Sequence, residues 1–180
     1  MKRKIFNPVI RDTTTFLQTA EETNGVFSYI EVTLRPGGQT PLHYHKNFTE
    51  TFTAEEGELG LHLGAGKKIL LSPGETCTVP IGQTHNFFNP GNEEIRFKVL
   101  TQPGSAGFEN ALRILYGLAG DGLTDERAVP KKFVDLAVVA VMSDMHLPGV
   151  QGLLYPLMRW IANRARRNGT EQYLLDRYCR

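Results

Sequence analysis

The chain has 180 residues, of which 41% are hydrophobic and 22% are charged, and its formal charge at pH 7 is +1. This length suits one globular domain with a modest appendage and argues against two full domains. Because 20 basic residues stand against 19 acidic residues, no overall electric field draws the chain to nucleic acid or to an anionic surface.

Residues 26–100 carry the pattern of short β-strands. Alternating or β-branched runs lie between glycine, proline and asparagine residues, for example at 26–34, 59–63, 68–71 and 95–100. Many short strands at regular spacing are typical of a β-sandwich or a small barrel. The pattern therefore predicts a mainly β fold for this part of the chain.

The composition changes after the β region. Alanine, leucine and methionine become more frequent, and apolar residues recur at intervals of three and four, as at Phe108, Leu112 and Leu115. This period predicts about four helices in the remainder of the chain. We expect two regions: a β-domain at 1–104, which includes an N-terminal strand, and a helical C-terminal extension at 105–180 that packs on or beside it.

The first stretch with chemical content is 37–57, which contains His43, His45 and Glu50. Residues two apart on a strand share a face, so His43 and His45 direct their rings to the same point. The next two residues, Lys-Asn, predict a bend or bulge that returns Glu50 to the same cluster. Three metal ligands are thus expected from eight consecutive residues.

The second stretch is 74–89, where Pro80 and Gly82 predict a tight turn that leads His85 into a strand. His85 would complete the cluster as its fourth member. Three imidazoles and one carboxylate are suitable ligands for a borderline divalent metal. The sequence therefore predicts a metal centre.

These two stretches resemble the two sequence motifs of the cupin superfamily. Residues 37–57 fit the pattern G-x5-H-x-H-x4-E-x6-G, residues 74–89 fit G-x5-P-x-G-x2-H-x3-N, and sixteen residues lie between them. The resemblance covers residues 25–102 and implies a jelly-roll β-barrel, with the helices outside the motifs. It also implies one divalent transition metal, which is Zn, Fe, Mn, Ni, Co or Cu; the sequence does not distinguish among them.

The resemblance implies a role in small-molecule chemistry. We favour a metal-dependent enzyme of the dioxygenase or isomerase type, with Glu50 as a catalytic proton acceptor in addition to its role as a ligand. The alternative is a non-catalytic module that binds or senses a metal and a small molecule while its helices engage a partner. Cupins similar to this chain are often dimers, so a homodimer is expected. The helices show no helix-turn-helix pattern, so no nucleic-acid partner is expected.

Five further residues receive structural interpretations. His62 alternates with leucines and is expected to face away from the barrel interior. His146 is expected to cap a helix end. Phe52, Phe87 and Phe97 either line the cavity beside the metal or belong to the core, and the sequence leaves both possibilities open.

The N-terminus, the cysteines and the apolar segments predict where the protein is located. The N-terminus lacks the apolar run of a secretory signal, so a cytoplasmic protein with reduced thiols is expected, with Cys77 in the core and Cys179 exposed. Charged residues interrupt the longest apolar region, 133–161, which predicts packed helix and no transmembrane segment. The basic run 159–167 is expected to lie on a packed amphipathic helix, with contact to a membrane surface or an acidic partner as the alternative.

Overall fold

The computed structural model describes residues 2–64 and 66–180. Within those residues, nine strands precede four α-helices. The strands are β1 (Lys4–Asn7), β2 (Asp12–Gln18), β3 (Ser28–Leu34), β4 (Thr49–Glu56), β5 (Leu59–Leu63), β6 (Lys67–Leu71), β7 (Thr76–Val79), β8 (His85–Phe88) and β9 (Ile95–Gln102). The helices are α1 (Ala106–Gly120), α2 (Phe133–Met142), α3 (Tyr155–Arg167) and α4 (Thr170–Tyr178), and a 3-10 helix covers Gly149–Leu154.

The strands form two antiparallel sheets. The larger sheet has the order β1-β2-β3-β9-β4-β7, and the smaller has the order β6-β5-β8. Burial alternates along β3 and β9, so each contributes one side to the interior. Side chains from both sheets meet there, as where the rings of Phe87 and Phe97 are centred 5.0 Å apart. The predicted mainly β, jelly-roll class is confirmed, in the form of two packed sheets and not one closed barrel.

The helices attach to the larger sheet through α1. Ser105 caps this helix, and its hydroxyl accepts a hydrogen bond from the Phe108 N–H at 3.1 Å. The Phe108 ring belongs to the core between the sheets. The buried carboxylate of Glu109 accepts hydrogen bonds from the Ala20 N–H and the Ser28 hydroxyl, both at 2.6 Å. The helical extension is therefore joined to the sandwich by apolar packing and by buried polar contacts.

A second core lies among the helices. The absence of a side chain at Gly117 lets the Tyr178 ring approach α1, because a Cβ there would lie 2.1 Å from that ring. The chain after α4 then returns to α1, where the Cys179 thiol lies 3.6 Å from the Asn110 carbonyl oxygen. Cys179 is buried, so the expectation that it is exposed is wrong. Cys77 is half-buried and packs against the first core, as predicted.

Helix α3 is packed on one face and exposed on another. Its inward residues are Met158, Ala162 and Ala165. The exposed face continues the 3-10 helix and carries large apolar side chains: Val150, Leu153, Leu154, Leu157 and Trp160. The prediction of a packed amphipathic helix for 159–167 is confirmed, since its arginines are exposed opposite the inward face, and the exposed apolar side chains are an addition to it. Among the residues that the structure describes, none of the helices has the length and hydropathy needed to cross a bilayer.

Candidate metal centre

The four predicted ligands meet in one buried cluster. His43 and His45 lie on the extended segment before β4, Glu50 is the second residue of β4, and His85 is the first residue of β8. None of the four is more than 7% exposed. One ligand atom from each lies within 4.8 Å of those of the other three. This cluster has the composition and the size to hold a metal ion.

Backbone pairing aligns the first two ligands with the fourth. The His43 N–H donates to the His85 carbonyl oxygen at 2.9 Å, and the His85 N–H donates to the His43 carbonyl oxygen at 2.7 Å. After His45 the chain bends at Lys46 and Asn47 before β4 begins. The bend that the sequence predicts at these two residues is therefore present, and it returns the next strand to the cluster.

The predicted turn before His85 is also present. The Gln83 N–H donates to the Pro80 carbonyl oxygen at 3.2 Å, and Gly82 has a positive φ of 81°, which glycine adopts without strain. The Gly82 N–H donates to the His45 carbonyl oxygen at 2.7 Å. The turn thus delivers His85 to its strand and also contacts the segment that carries the first two histidines.

All three imidazoles are oriented in the same way, because each Nδ1 hydrogen-bonds to a main-chain carbonyl oxygen. The pairs are His43 with Pro41 at 2.8 Å, His45 with Asp144 at 3.1 Å and His85 with Gln83 at 3.0 Å. A carbonyl oxygen only accepts, so Nδ1 is the protonated nitrogen of each neutral ring. Nε2 of each ring then faces the cluster, where its lone pair could bind a metal, which is the arrangement that metal-bound histidines use.

The Glu50 carboxylate lies between two of these rings. Its Oε2 is 2.7 Å from Nε2 of His85 and 3.5 Å from Nε2 of His45. At the longer distance, Nε2 of His45 is too far from Oε2 for a directed hydrogen bond. Nε2 of His45 is consequently buried without a hydrogen-bond partner. A buried polar atom without a partner is unfavourable unless something binds it, and a metal ion at the centre of the cluster would satisfy this nitrogen.

Burial and mutual charge set the protonation of the cluster. Burial, together with the neighbouring His85 and His45 rings, lowers the pKa of His43 to about 3. Burial alone would raise the pKa of Glu50, but His45 and His85 outweigh burial and hold that pKa well below its usual range. Burial alone would lower the pKa of His45, but the charge of Glu50 raises it. At neutral pH, His43 is therefore neutral and Glu50 ionised, the states that metal ligands require.

Aromatic rings surround the cluster. The Phe48 ring stacks on His45 at a centroid distance of 4.3 Å, and Phe108 of α1 lies 5.4 Å from Phe48. Phe52 lies 6.0 Å from His85. Phe52 and Phe97 are fully buried in the core, and Phe87 is half-buried against it. Phe52, Phe87 and Phe97 therefore pack in the core, and Phe52 also adjoins the candidate ligand His85.

Sequence reasoning missed a segment from the helical extension, 144–146. The N–H groups and carbonyl oxygens of Tyr44 and His146 bond to each other at 2.9 and 3.0 Å. The His146 ring lies between Tyr44 and Tyr155, with centroids 5.1 and 3.9 Å away, and its Nε2 is 3.0 Å from Oδ1 of Asp144. The predicted helix cap at His146 is wrong, because α2 ends at Met142 and the chain then runs beside the ligand segment.

His62 lies outside the metal cluster. Its Nδ1 is 2.9 Å from Oδ1 of Asn86, and its ring stacks on Phe88 at a centroid distance of 4.6 Å. It is half-buried, whereas the neighbouring Leu61 and Leu63 are buried in the core. The interpretation that His62 faces away from the interior agrees with these contacts.

Comparison with known proteins identifies the β region. Residues 30–101 match the family model of the cupin domain. Germin-like protein 3-7 from Oryza sativa subsp. japonica is 30% identical over 116 residues, which are 62% of this chain and 49% of that protein. The chain therefore spans about half the length of the curated relative it matches. The helical extension lies outside the family match.

Solved structures similar to this chain cover about half of it. A conserved protein with a double-stranded β-helix domain from Klebsiella pneumoniae is 25% identical, with 51% of this chain and 76% of that chain covered and a TM-score of 0.46. A predicted oxalate decarboxylase from Thermotoga maritima is 25% identical, with 51% and 80% covered and a TM-score of 0.48. Since the family model matches the segment that holds all four ligands, and both motifs are complete in it, residues 30–101 of this chain are a cupin domain.

Proposed function

We propose that this cupin binds one divalent transition metal through His43, His45, Glu50 and His85 and uses it to act on a small organic molecule. The observation that carries the proposal is the unpaired, buried Nε2 of His45. It lies in a cluster whose other ligand atoms are within 4.8 Å and whose rings all bond to carbonyl oxygens through Nδ1. This donor set fits a borderline metal and leaves its identity open among Zn, Fe, Mn, Ni, Co and Cu.

The chemistry follows from the number and type of ligands. A bound metal would supply a Lewis acid with an open position for an oxygen atom of the substrate. The three histidines are held by their Nδ1 hydrogen bonds and would remain ligands throughout. Glu50 is the member of the cluster that we assign as proton acceptor from the substrate, because its carboxylate would act as a base while it is not engaged by the metal. We therefore assign Glu50 the catalytic role.

The available bases favour an oxygenase over an isomerase. An isomerase that moves a proton between two carbons benefits from a second acid or base at the centre. A further carboxylate that contacts the ligand segment is Asp144, and its oxygens already bond to the Lys46 and Asn47 N–H groups and to His146. A dioxygenase-type reaction on a small molecule would use Glu50 as its single proton acceptor, with dioxygen as the oxidant and a redox-active metal in the site.

Elemental analysis by plasma mass spectrometry tests the metal site. We expect about one equivalent of a transition metal per chain in the wild-type protein and none in the double variant His43→Ala, His45→Ala. The matched control is His62→Ala, which removes a histidine outside the cluster and should keep the metal. Equal metal content in the wild type and the double variant, or no metal in either after reconstitution, would contradict the proposal.

An observation on the helices supports a second candidate function. The exposed apolar face of the 3-10 helix and α3, with Val150 81% and Trp160 59% exposed, is of the kind that binds another protein. A binding or sensing module would use this face for a partner or for a homodimer. Turnover of a candidate substrate by the metal-loaded protein distinguishes the enzyme from the sensing module, since a sensor would bind the molecule without consuming it. The cytoplasmic location stays a prediction.

A further inference from the structure

Asp144 bonds to the ligand segment at three points. Its main-chain carbonyl oxygen accepts the hydrogen bond from Nδ1 of His45 at 3.1 Å. Its Oδ2 accepts from the Lys46 N–H at 2.6 Å and from the Asn47 N–H at 2.8 Å. One residue of the α2–α3 connection thus orients a ligand ring and also fixes the bend that follows it.

The rest of the connection adds a strand-like pairing beside the ligands. Tyr44 pairs with His146, while the preceding residue, His43, pairs with His85. The ligand segment therefore lies between β8 on one side and the α2–α3 connection on the other. Because the 144–146 segment lies outside the matched cupin region of 30–101, this second side is supplied by the helical extension.

The backbone at Asp144 is held in an uncommon conformation. Its φ is +53°, in the left-handed region, which aspartate and asparagine tolerate better than most residues with a Cβ. In this conformation the carbonyl oxygen and the carboxylate both reach the ligand segment. The two bonds from Oδ2 to the 46–47 bend oppose rotation of the residue away from His45.

We infer that Asp144 is a positioning residue of the metal centre, through which the α2–α3 connection fixes the Nδ1–H tautomer of His45 and so sets the metal affinity. The inference rests on the proposed metal binding at this site. Loss of an outer partner of a metal-bound histidine lowers affinity about 10- to 100-fold in comparable sites. We expect a reduction in that range when the Asp144 side chain is removed.

Three variants distinguish a positioning role of Asp144 from a general effect on the stability of the fold. Asp144→Gly keeps the positive φ and removes the carboxylate. Asp144→Asn keeps an oxygen for the two N–H groups and an amide that can donate to a neutral His146, so it should restore most of the affinity. The matched control is Asp125→Gly, since Oδ1 of Asp125 accepts from the Arg127 and Val129 N–H groups within its own loop.

The first measurement is competition for Co²⁺ with a chromogenic chelator. The Asp144→Gly variant should bind about 10- to 100-fold more weakly than the wild type, and its cobalt absorption spectrum should change. Asp125→Gly should match the wild type in both respects. Wild-type affinity in Asp144→Gly, or an equal loss in Asp125→Gly, would overturn the inference. If Asp144→Gly does not fold, Asp144→Ser takes its place with a smaller expected loss.

The second measurement needs no metal. Nitrogen-15 NMR of the metal-free protein at alkaline pH should show the Nδ1–H tautomer for His45 in the wild type and in Asp144→Asn. In Asp144→Gly the Nε2–H tautomer should become populated, because Glu50 is then the nearer acceptor. An unchanged tautomer would overturn the positioning role. If the wild type bound no metal, the proposed function would fail while this tautomer test still stood.

Discussion

At the scale of single residues, Glu50 determines the charge of the cluster. Its carboxylate is buried, contacts Nε2 of His85 at 2.7 Å and lies 3.5 Å from Nε2 of His45. Without this charge, burial would dominate the protonation of His45. The metal-free protein therefore keeps a buried carboxylate and a protonatable ring together, in the space that a metal would otherwise occupy.

The variant Glu50→Gln tests this charge balance. Burial lowers and Glu50 raises the pKa of His45, so removal of the charge should bring the pKa of His45 below its usual value of 6.5. A raised pKa in the folded state stabilises below the unfolded value, and this contribution is lost as pH rises through the folded value. Glu50→Gln should therefore lack the stabilising contribution of His45 at acid pH.

An NMR titration of His45 in the metal-free protein measures this shift directly. The control is Glu58→Gln, which removes an exposed carboxylate before β5 and should leave the titration of His45 unchanged. A His45 titration that is the same in Glu50→Gln and in the wild type would show that the carboxylate does not govern the ring. Metal content should fall in Glu50→Gln and stay constant in Glu58→Gln.

The four ligand positions were predictable because they are local. Each motif is a short run, and the side-chain period of an extended chain brings His43 and His45 to the same point. Asp144 was not predictable, because its bond to His45 joins residues 99 positions apart and involves a main-chain oxygen. A main-chain acceptor leaves no mark on the residue type, so no sequence pattern can reveal it.

At the scale of elements, the contact between β2 and α1 contains a buried acid. Asp12 is 1% exposed, and its Oδ2 accepts the hydrogen bond from the Tyr116 hydroxyl, which also lies 3.1 Å from the hydroxyl of Thr14. Oδ1 of Asp12 has no partner. Burial raises the pKa of Asp12 from 3.8 to about 7 despite the bond to Tyr116. The strand and the helix therefore meet over a carboxyl group whose ionised form is unfavourable.

The variant Asp12→Asn should change how stability depends on pH. The folded protein holds a proton on Asp12 between pH 3.8 and about 7, whereas the unfolded chain releases it. The free energy of unfolding contributed by this group therefore falls as pH rises through that interval. Relative to the variant, the wild type should lose on the order of 4 kcal/mol between acid and mildly alkaline pH.

Urea unfolding at several pH values gives this difference. The exposed Asp125→Asn serves as control and should follow the wild-type curve. If the stability curves of the wild type and Asp12→Asn ran parallel over the whole interval, Asp12 would ionise as easily in the folded protein as in the unfolded chain.

The types of the elements were predictable, and their contacts were not. Period-two and helical patterns separate the strands from the helices, and they place the change near residue 104. The burial of Cys179 depends on the path of the chain after α4 and on the space left by Gly117. The closure of the sheets likewise depends on which strands pair, so the barrel expected from the motifs is found as two sheets.

At the scale of the whole molecule, polar contacts join the sandwich and the helices at several separate places. Glu109 bonds to the Ala20 N–H and the Ser28 hydroxyl, Tyr116 bonds to Asp12, and Asp144 bonds to the bend after His45. Each of these contacts is buried or partly buried, so separating the two parts would expose unpaired polar groups. The two parts are therefore expected to unfold together.

Thermal unfolding of the metal-free protein tests this cooperativity. The sheet band and the helix band of the infrared amide I spectrum should lose intensity at the same temperature, because the two parts share one transition. In Glu109→Gln both midpoints should fall by the same amount, since the hydrogen bonds of the Glu109 carboxylate join the helices to the sandwich. Two midpoints in the wild type, or a shift of only one of them in the variant, would show that the parts unfold independently.

The order of these residues along the chain determines when the metal centre is completed during synthesis. All four ligands precede α1, so the ribosome delivers them before it delivers Asp144. Domains generally fold as units, and the two parts of this chain are expected to share one transition, so the ligands are held together only after the helices have been delivered. An ion that meets the chain before then finds the ligands unassembled. We therefore expect the finished protein to take its metal from the ions that are available after its synthesis is complete.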